Sequence, residues 1–477
     1  MNSKERVGGM GTRKMLPMII SMSIPAVCGN IVNALYNIVD RMFVGQFVST
    51  DALGAIGLMF PLNNITAALT VMMSIGGGAM VSLSLGKGEY DKVNRIFTSL
   101  VTMSCCIAIL IASSFFIFSD RLIRLCGADE TSALYKPAVT YLRIIAVGQF
   151  FQIINLAMAA VIRAEGNTKY AMIVTMTGAA VNVGLDALLV IVIPMGVAGA
   201  AIATVISQMI SFLLSLLYHK SGKGVARWMG WKRADTQIMR EVVSLGLAPA
   251  VFQGLSFVNN MITNHSLMLY ADAELGRGGG DLAISAVSVI QSVENLAIMF
   301  VMGMNNAIST IISYNYGLKS FHRVKQAALT GQAIAFGVSF LIWAAMMFAP
   351  EFLFRIFSGS DMELISYGAS AMRKGKMLVM FLGFQTLASM YFSAIGRPKR
   401  ATFISISRNG LFLIPALLIL PAFLGLDGVL YSTSVSDACS VVLVSAVYIK
   451  GIRELDKKIQ ENSAPCQCAA KPEGGIL

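Results

Sequence analysis

An all-α integral membrane protein with twelve transmembrane helices in two pseudo-symmetric six-helix bundles is the fold class that this sequence predicts, on three observations. Of its 477 residues, 56% are apolar and only 13% charged, against roughly 25% charged in soluble domains. Apolar stretches recur from Leu16 to Val447 with no polar block of soluble-domain size between them, which excludes both an ordinary soluble protein and a single anchor carrying a soluble domain. The second half of the chain also repeats the first. With 43 Gly and no long alternation of apolar and polar residues, the spans read as helices rather than strands of an outer-membrane barrel.

Apolar runs set against charged punctuation place the spans at 17–45, 52–85, 93–118, 134–162, 169–193, 196–218, 241–270, 282–316, 324–348, 364–395, 401–421 and 428–449. Several exceed the roughly 20 residues needed to cross, so tilt or kinking is expected. Pro25, Pro61, Pro249 and Pro415 fall inside them. Each removes a backbone donor, which predicts kinked helices around a cavity. The first stretch, from Leu16 to Val44, is too long for a cleavable signal and lacks a small-residue cleavage site.

The net charge of +12 would suggest nucleic acid in a soluble protein. Here it follows membrane orientation, and no nucleic-acid partner is expected. If both termini face one side, the loops on that side hold 27 of the 37 Lys and Arg, and the loops opposite hold 5. The positive-inside rule then puts both termini in the cytoplasm of a multi-pass protein in a bacterial cell membrane. Arg373, Lys374 and Lys376 disagree, falling near the outer end of the tenth span, where they line a vestibule or mark a misplaced boundary. The resulting organisation is a cytoplasmic N-tail (1–16), an N-lobe (17–218), a basic linker (219–240), a C-lobe (241–452) and a cytoplasmic C-tail (453–477). In the linker, Trp228 and Trp231 alternate with Lys220, Lys223, Arg227, Lys232 and Arg233, the pattern of a segment lying at lipid headgroups.

Four anchors carry the internal repeat. PAV at Pro25 recurs at Pro249, offset 224; LGKGEYDKVNR (Leu85 to Arg95) is echoed by YGLKSFHRVKQ (Tyr316 to Gln326), offset 231. AEGNTKYA from Ala164 is echoed by AIGRPKRA from Ala394, offset 230, and GVAGAAIATVIS from Gly196 by GLDGVLYSTSVS from Gly425, offset 229. The change of seven in offset is expected to be absorbed by a longer loop around Gly276 to Gly280. Because six spans is an even number, the halves insert in the same orientation and are related by an axis along the membrane normal, as in transporters that rock two bundles about a central cavity.

YNIVDRMFVG (Tyr36 to Gly45), the LGKGEYDKVNR loop, the AEGNTK loop and YNYG (Tyr314 to Gly317), over two six-span halves, resemble the multidrug and toxic compound extrusion (MATE) family. The resemblance covers about residues 15–452 and points to the DinF-like, MepA-like bacterial branch. It implies an antiporter that exports amphipathic organic cations and drugs, a xenobiotic transporter conferring drug resistance, working by alternating access. It implies no enzyme activity and no cofactor beyond the coupling ion, a proton or alternatively sodium.

Asp40, Asp186, Glu294 and Asp437 are the acidic residues within spans. Each would cost about 2.5–3.5 kcal/mol at a bilayer centre, so all four should face protein or water. Carboxyl groups in a poorly solvated cavity can bind and release protons near neutral pH, which is what proton coupling requires. Asp40 lies five residues before Gly45, Asp186 eight before Pro194, and Thr204 eight into the sixth span, which sets all three roughly 8 to 12 Å below the outer surface. Asn182, four residues before Asp186, shares its helix face. In the resembled branch, residues matching Asp40, Asn182, Asp186 and Thr204 form the cation-coupling site, and Asn155 matches a fourth-span member that lies deeper here. For Asn182 and Thr204 a second reading stands: polar groups that stitch helices together, at about 0.6 kcal/mol each.

The repeat relates Asp40 to Asn264, Asn182 to Leu411 and Asp186 to Pro415, so the C-lobe lacks this cluster and coupling is asymmetric. In the NorM-like branch acidic residues of the seventh and tenth spans bind sodium; here Asn259, Asn260 and Gln385 stand in those spans. Glu294, with Tyr36, Asn37, Gln385 and Asn264, is the candidate set for the substrate cavity. Glu294 then either pairs with a cationic substrate or pairs with a vestibule cation such as Arg373, and the same alternatives apply to Asp437. Thirty Met and 26 Phe suit an adaptable apolar cavity, although most serve as core and lipid contacts.

Seven Cys are scattered, implying no disulfide framework. The CQC pair, Cys466 and Cys468, reads as tail rather than metal site because no His accompanies it. His219, His265 and His322 are too widely spaced for a relay, and no phosphate loop or zinc motif is present, leaving an ion gradient as the energy source. Partners are the bilayer and small cationic molecules, and the chain is expected to act as a monomer. The alternative function is a flippase for a lipid-linked or polysaccharide precursor of the related superfamily. It would require several cations inside the spans, where only Arg41, Arg143 and the Arg373 group qualify, all near the outer ends.

Overall fold

The computed structural model describes residues 3–276, 279–358 and 361–463. Cys466 and Cys468 lie outside them. Among the described residues every regular element is helical, as hydrocarbon demands of a backbone that must satisfy its own polar groups. The N-terminal half comprises α1 (Ser3–Thr12), α2 (Met15–Phe47), α3 (Thr50–Leu58), α4 (Phe60–Gly86), α5 (Tyr90–Ile117), α6 (Ser119–Leu125), α7 (Tyr135–Ala164), α8 (Thr168–Asp186, prolonged by a π-helical stretch, Ala187–Val192) and α9 (Val197–Lys220). The C-terminal half comprises α10 (Thr236–Leu275), α11 (Gly279–Gly317), α12 (Phe321–Phe348), α13 (Pro350–Ser358), α14 (Met362–Gly375), α15 (Leu382–Ala394), α16 (Pro398–Ile406, followed by a π-helical stretch, Ser407–Phe412) and α17 (Leu413–Ser463).

Among the described residues ten helical segments are long and apolar enough to cross a bilayer, and α14 with the segment Val379–Ala394, bent by 55°, makes an eleventh. The twelfth comes from the last segment, Pro398–Asn462, whose 65 residues would measure about three bilayer thicknesses if straight. It is broken at Gly425, where φ is 55° and ψ −135°. Gly196, its repeat equivalent, has φ 61° and ψ −142° in the turn between α8 and α9. Both glycines have a positive φ that a Cβ disfavours, and both make the same turn.

Several sequence expectations are corrected in detail. The predicted span 52–85 is two helices, α3 and α4, separated at Met59, and Pro61 sits in the first turn of α4, where its missing N–H costs nothing. Pro415 is interior, as are Pro25, Pro249 and Pro421, because the π-helical stretch Ser407–Phe412 runs into α17 without a break. The seven-residue offset is not taken up by a long loop: helix flanks Gly276 and resumes at Gly279. Seven residues are about two helical turns, so lengthening helices by that amount preserves their buried faces.

Equivalent positions of the two halves make equivalent contacts. Ser82 Oγ donates to the Ala164 carbonyl (3.2 Å) and Ser313 Oγ to that of Ala394 (3.0 Å). Gly86 and Gly317 face each other, so that a Cβ on Gly86 would lie 2.0 Å from the Tyr314 carbonyl and one on Gly317 2.2 Å from that of Leu83. Equivalent residues meeting in this way lie on the pseudo-twofold axis. Higher in the interface Gly246 abuts the Met72 carbonyl, where a Cβ would stand 1.8 Å away. The two halves therefore close backbone to backbone at the end that also gathers the cationic loops.

At that end α1 spans the junction. Arg6 donates to the Glu165 carbonyl (3.4 Å) and the Tyr218 hydroxyl (2.9 Å) in the first half, while Arg323 and Asn315 of the second half donate to the carbonyls of Arg13 (2.7 Å) and Met10 (3.1 Å). Glu165, fully buried, accepts from the Val225 and Ala226 amides at 2.9 and 2.7 Å, and burial pushes its carboxyl upward from the ordinary range. The segment after it is tied to α5 by Asn94, Thr98 and Ser99, at 2.8–3.0 Å, leaving Trp228 and Trp231 about half exposed. Replacing Gly246 by Val should pry α4 from α10. Spin labels at Lys87→Cys and Lys319→Cys would then report a longer distance in the variant, and an unchanged distance would show that this contact does not hold the halves shut.

Candidate functional site

The two halves bury charge in different ways. In the first, α2, α7, α8 and α9 converge about 10 Å below the end opposite the cationic loops. Asp40, Asn182 and Asp186 are all buried there, and Asn182 Nδ2 donates to Thr204 Oγ1 at 3.4 Å. The carboxyl groups of Asp40 and Asp186 face each other within hydrogen-bonding range. Asp40 Oδ1, both oxygens of Asp186 and Asn182 Oδ1 have no donor among the described residues. Two carboxyl groups can bond only when one carries a proton, and four buried acceptors without donors define a place for a proton or small cation.

The structure thus brings together Asp40, Asn182, Asp186 and Thr204. It does not bring Asn155 to them: its Oδ1 accepts from Ser215 Oγ at 2.7 Å, eleven residues along α9 from Thr204 and so about 16 Å away. Tyr36 takes a hydrogen bond from Asn37 and lies within the field of Asp40; Asn37 is exposed and also donates to the Asn33 carbonyl at 2.6 Å. Tyr141, buried on α7, faces both Asp40 and Asp186. Sequence reasoning passed over it, although its place near the outer start of the fourth span matches the depth of the cluster. The π-helical stretch beginning at Ala187 directly follows Asp186. Such widened turns re-aim side chains, and no sequence pattern announced this one.

In the second half the buried charges are compensated. Glu294 on α11 is ion-paired with Lys376, and Arg408 Nη2 lies 3.8 Å away on its other oxygen. Arg408 Nε donates to Asp437 Oδ1 at 2.7 Å. Two sequence expectations are corrected here. The partner of Glu294 is Lys376, whereas Arg373 pairs with Glu351 (2.8 Å) and Lys374 with Asp427 (2.5 Å). Arg408, left out of the cations counted inside the spans although 401–421 contains it, belongs to a π-helical stretch and is only 9% exposed; Asp437, 29 positions along the chain, neutralises it. This charged layer divides the apolar core of the second half: Ala286, Ile290 and Val293 pack in one cluster and Met304, Ile308 and Ile312 in another.

Gln385 borders the layer, its amide reaching the Asp437 carbonyl at 3.5 Å. A cavity of about 40 Å³ opens beside it, walled by Phe252, Met302, Gln385, Met390, Ser405 and Arg408 among others, small beside the sites that hold drug-sized ligands. Asn259 and Asn409 fasten α10 to the π-helical stretch: Asn259 Nδ2 donates to the Asn409 carbonyl at 3.0 Å and Asn409 Nδ2 to Ser256 Oγ at 3.2 Å. Asn264 is exposed on α10, and Gln291 donates to Asn260 Oδ1 at 3.2 Å. No cluster of three metal-binding side chains occurs among the described residues.

The MatE family model matches residues 25–188 and 258–419, one stretch in each repeat. The chain belongs to the MATE family. It is 23% identical over 437 residues to the multidrug export protein MepA of Staphylococcus haemolyticus, covering 90% of this chain and 92% of that one, and 22% identical over 435 residues to the MepA of Staphylococcus aureus, covering 90% and 93%. Among solved structures it is similar to a multidrug resistance MATE family transporter of the MOP superfamily in an outward-facing conformation (TM-score 0.85, 21% identity, 94% of this chain and 98% of that one). It is also similar to a MATE protein in a bent conformation (0.86, 20%, 97% and 100%), and to a MOP superfamily transporter from Pyrococcus furiosus described as having a binding pocket of reverse polarity (0.84, 22%, 94% and 98%). This MATE protein is therefore a multi-pass membrane transporter of a multidrug-efflux family, with the twelve-helix fold.

The compensated layer makes a quantitative prediction. Asp437→Ala leaves the Arg408 guanidinium buried without its partner and should cost about 3–5 kcal/mol. The double variant Arg408→Met/Asp437→Leu should recover most of that loss, read as the thermal midpoint of the purified protein. If the double variant is no more stable than Asp437→Ala, the pair is not what makes the single change costly.

Proposed function

We propose that this protein is a cation-coupled antiporter that exports amphipathic small molecules, with protons as the driving ion and Asp40 and Asp186 as the coupling pair. The observation that carries this reading is the contrast in buried charge: Glu294 and Asp437 have cationic partners, whereas Asp186 has neither oxygen matched by a donor. An unpaired carboxyl pair in a poorly solvated site gains the most from taking up a proton. Asn182 and Thr204, bonded to each other, lie at the depth of the pair, and Tyr141 lies within the field of both carboxyls. The closed junction at Gly86 and Gly317 is what an alternating-access cycle has to open, with the two halves rocking about their common axis.

Placing the cationic loops in the cytoplasm gives a bacterial plasma-membrane protein with both termini inside, acting as a monomer and performing no covalent chemistry. Substrates with a cationic group are drawn to the first-half carboxyls. The Glu294 carboxylate adds little to that attraction while Lys376 holds it. A flippase reading gains support from Arg408 and Lys376 lying within the spans, but the pairing of both leaves little free positive charge for an anionic headgroup.

Proteoliposomes loaded to impose a pH or a sodium gradient test the reading with ethidium as cargo. A proton gradient alone should drive transport, since one charge crossing 100 mV supplies about 2.3 kcal/mol, enough for roughly a 50-fold concentration ratio. Asp40→Asn should insert normally yet abolish transport, because the amide imitates a carboxyl that never releases its proton. Asp186→Asn should act similarly, with some loss of packing at Asn182. Transport that requires sodium and ignores pH would overturn the choice of ion, and wild-type transport by Asp40→Asn would overturn the site.

A further inference from the structure

A crevice of about 310 Å³ lies where α12 and α17 flank α15 and the short turn before it. It opens beside the exposed side chains of Leu329 and Phe336. Gln332 stands eleven residues beyond Phe321 and Phe384 ten before Ala394, which puts the crevice about 15 Å from the ends that meet the cationic loops, within the hydrocarbon rather than at its surface. Among the described residues its wall holds no ionisable side chain. The first half shows how the equivalent space is filled. There the rings of Phe151 and Phe212 meet, with centroids 5.7 Å apart, and the repeat offsets of 230 and 229 carry them to Phe381 and Val441. Phe381 leans instead on Phe336 of α12, at 5.7 Å, so the ring that α9 contributes has no counterpart on α17. The same offsets relate Leu216 to Ser445, and an offset of 231 relates Val101 to Gln332. The second half has therefore lost a ring and a leucine at this place and gained a hydroxyl and an amide, and both Oε1 and Nε2 of Gln332 are buried without a partner among the described residues.

We propose that this crevice is a membrane-facing binding site for neutral aromatic carboxamides that reach it through the bilayer. Phe212 is the guide to the occupant, since in the other half the protein's own ring fills the matching place. The volume is about twice the ~150 Å³ that encloses one benzene, which suits two linked rings, and Phe336, Phe381 and Phe384 surround them with the faces and edges that aromatic groups prefer. A charged ligand finds no counter-ion in this wall and would be expensive at this depth. A lipid acyl chain would leave the Gln332 amide unmatched and gain nothing from the geometry of the rings. A ligand carboxamide brings both a donor and an acceptor, as the bordering Gln332 does, and the Ser445 hydroxyl adds a second polar group to the wall. The site shares no residue with the coupling pair or with the charged layer, and it goes beyond the exporter reading, because it is loaded from the membrane with no ion gradient.

The test uses 4-benzoylbenzamide, a neutral two-ring carboxamide that attaches to nearby C–H groups on irradiation, with the full-length protein in nanodiscs of phosphatidylethanolamine and phosphatidylglycerol. Label mapped by peptide mass spectrometry should concentrate at residues 329–336, 381–384 and 441–445, and excess benzanilide, which has no photoreactive ketone, should displace it. Val441→Phe, which restores the ring of the first half, should cut that labelling roughly fivefold or more, and Ser445→Leu, the other first-half residue, should do the same should the first variant insert poorly. Gln332→Val should shrink the preference for 4-benzoylbenzamide over plain benzophenone by roughly threefold, the worth of one hydrogen bond in a membrane. Label spread over the lipid-facing surface in proportion to exposure, or undiminished in both filling variants, would overturn the site. Label that benzanilide fails to displace would show that lipid chains hold the crevice, and would overturn it too. Equal labelling by benzophenone and its carboxamide in the wild type, or equal displacement by 4-benzoylbenzoate, would overturn the ligand class. Labelling is read without a gradient, so failure of gradient-driven transport would count against the exporter reading and leave this result standing.

Discussion

The fold is arranged around the cost of charge in a medium that cannot solvate it. Every ionised group placed within the bilayer must meet an opposite charge, a set of hydrogen bonds or water. In the second half that requirement is met inside the protein, through the succession Lys376, Glu294, Arg408 and Asp437. In the first half it is left open at Asp40 and Asp186. The same constraint explains why the core of the second half is split into layers and why the open carboxyls sit among Asn182, Thr204 and Tyr141 rather than against lipid.

Symmetry supplies the scaffold and divergence supplies the chemistry. The backbone devices are duplicated: the glycine turns at 196 and 425, the serine bonds at 82 and 313, and the facing glycines at 86 and 317. The charged side chains are not. Asp40 corresponds to Asn264, Asp186 to Pro415, and Asp437 to Gln208. Two bundles that must move about a common axis need matched hinges and contacts, whereas ion and ligand are best held in separate places, so that filling one site alters the cost of opening the other.

Much of this was legible in the sequence, because hydropathy and repetition report directly on membrane structure. The spans follow from apolar length, the two halves from offsets of 224 to 231, and the common depth of Asp40, Asp186 and Thr204 from helical rise. What escaped was set by local backbone geometry or by distant partners. The break at Met59 leaves no polar signature between Leu58 and Phe60. The π-helical stretches after Asp186 and around Arg408 have no composition of their own. Arg408 drew no notice because its counter-charge, Asp437, lies one span away, and Tyr141 because its proximity to Asp40 and Asp186 is set by tertiary packing. Charge and neighbour have to be known together before a buried ion pair can be told from a solvated cation.

The central claim, that Asp40 and Asp186 share a proton while Glu294 stays paired with Lys376, is tested most directly by infrared difference spectroscopy of the protein in lipid across a pH titration. The account predicts a carboxylic acid C=O band that titrates in the wild type, persists in Glu294→Gln, and disappears in Asp40→Asn/Asp186→Asn. A band that is lost in Glu294→Gln, or that survives in the double variant, would contradict it.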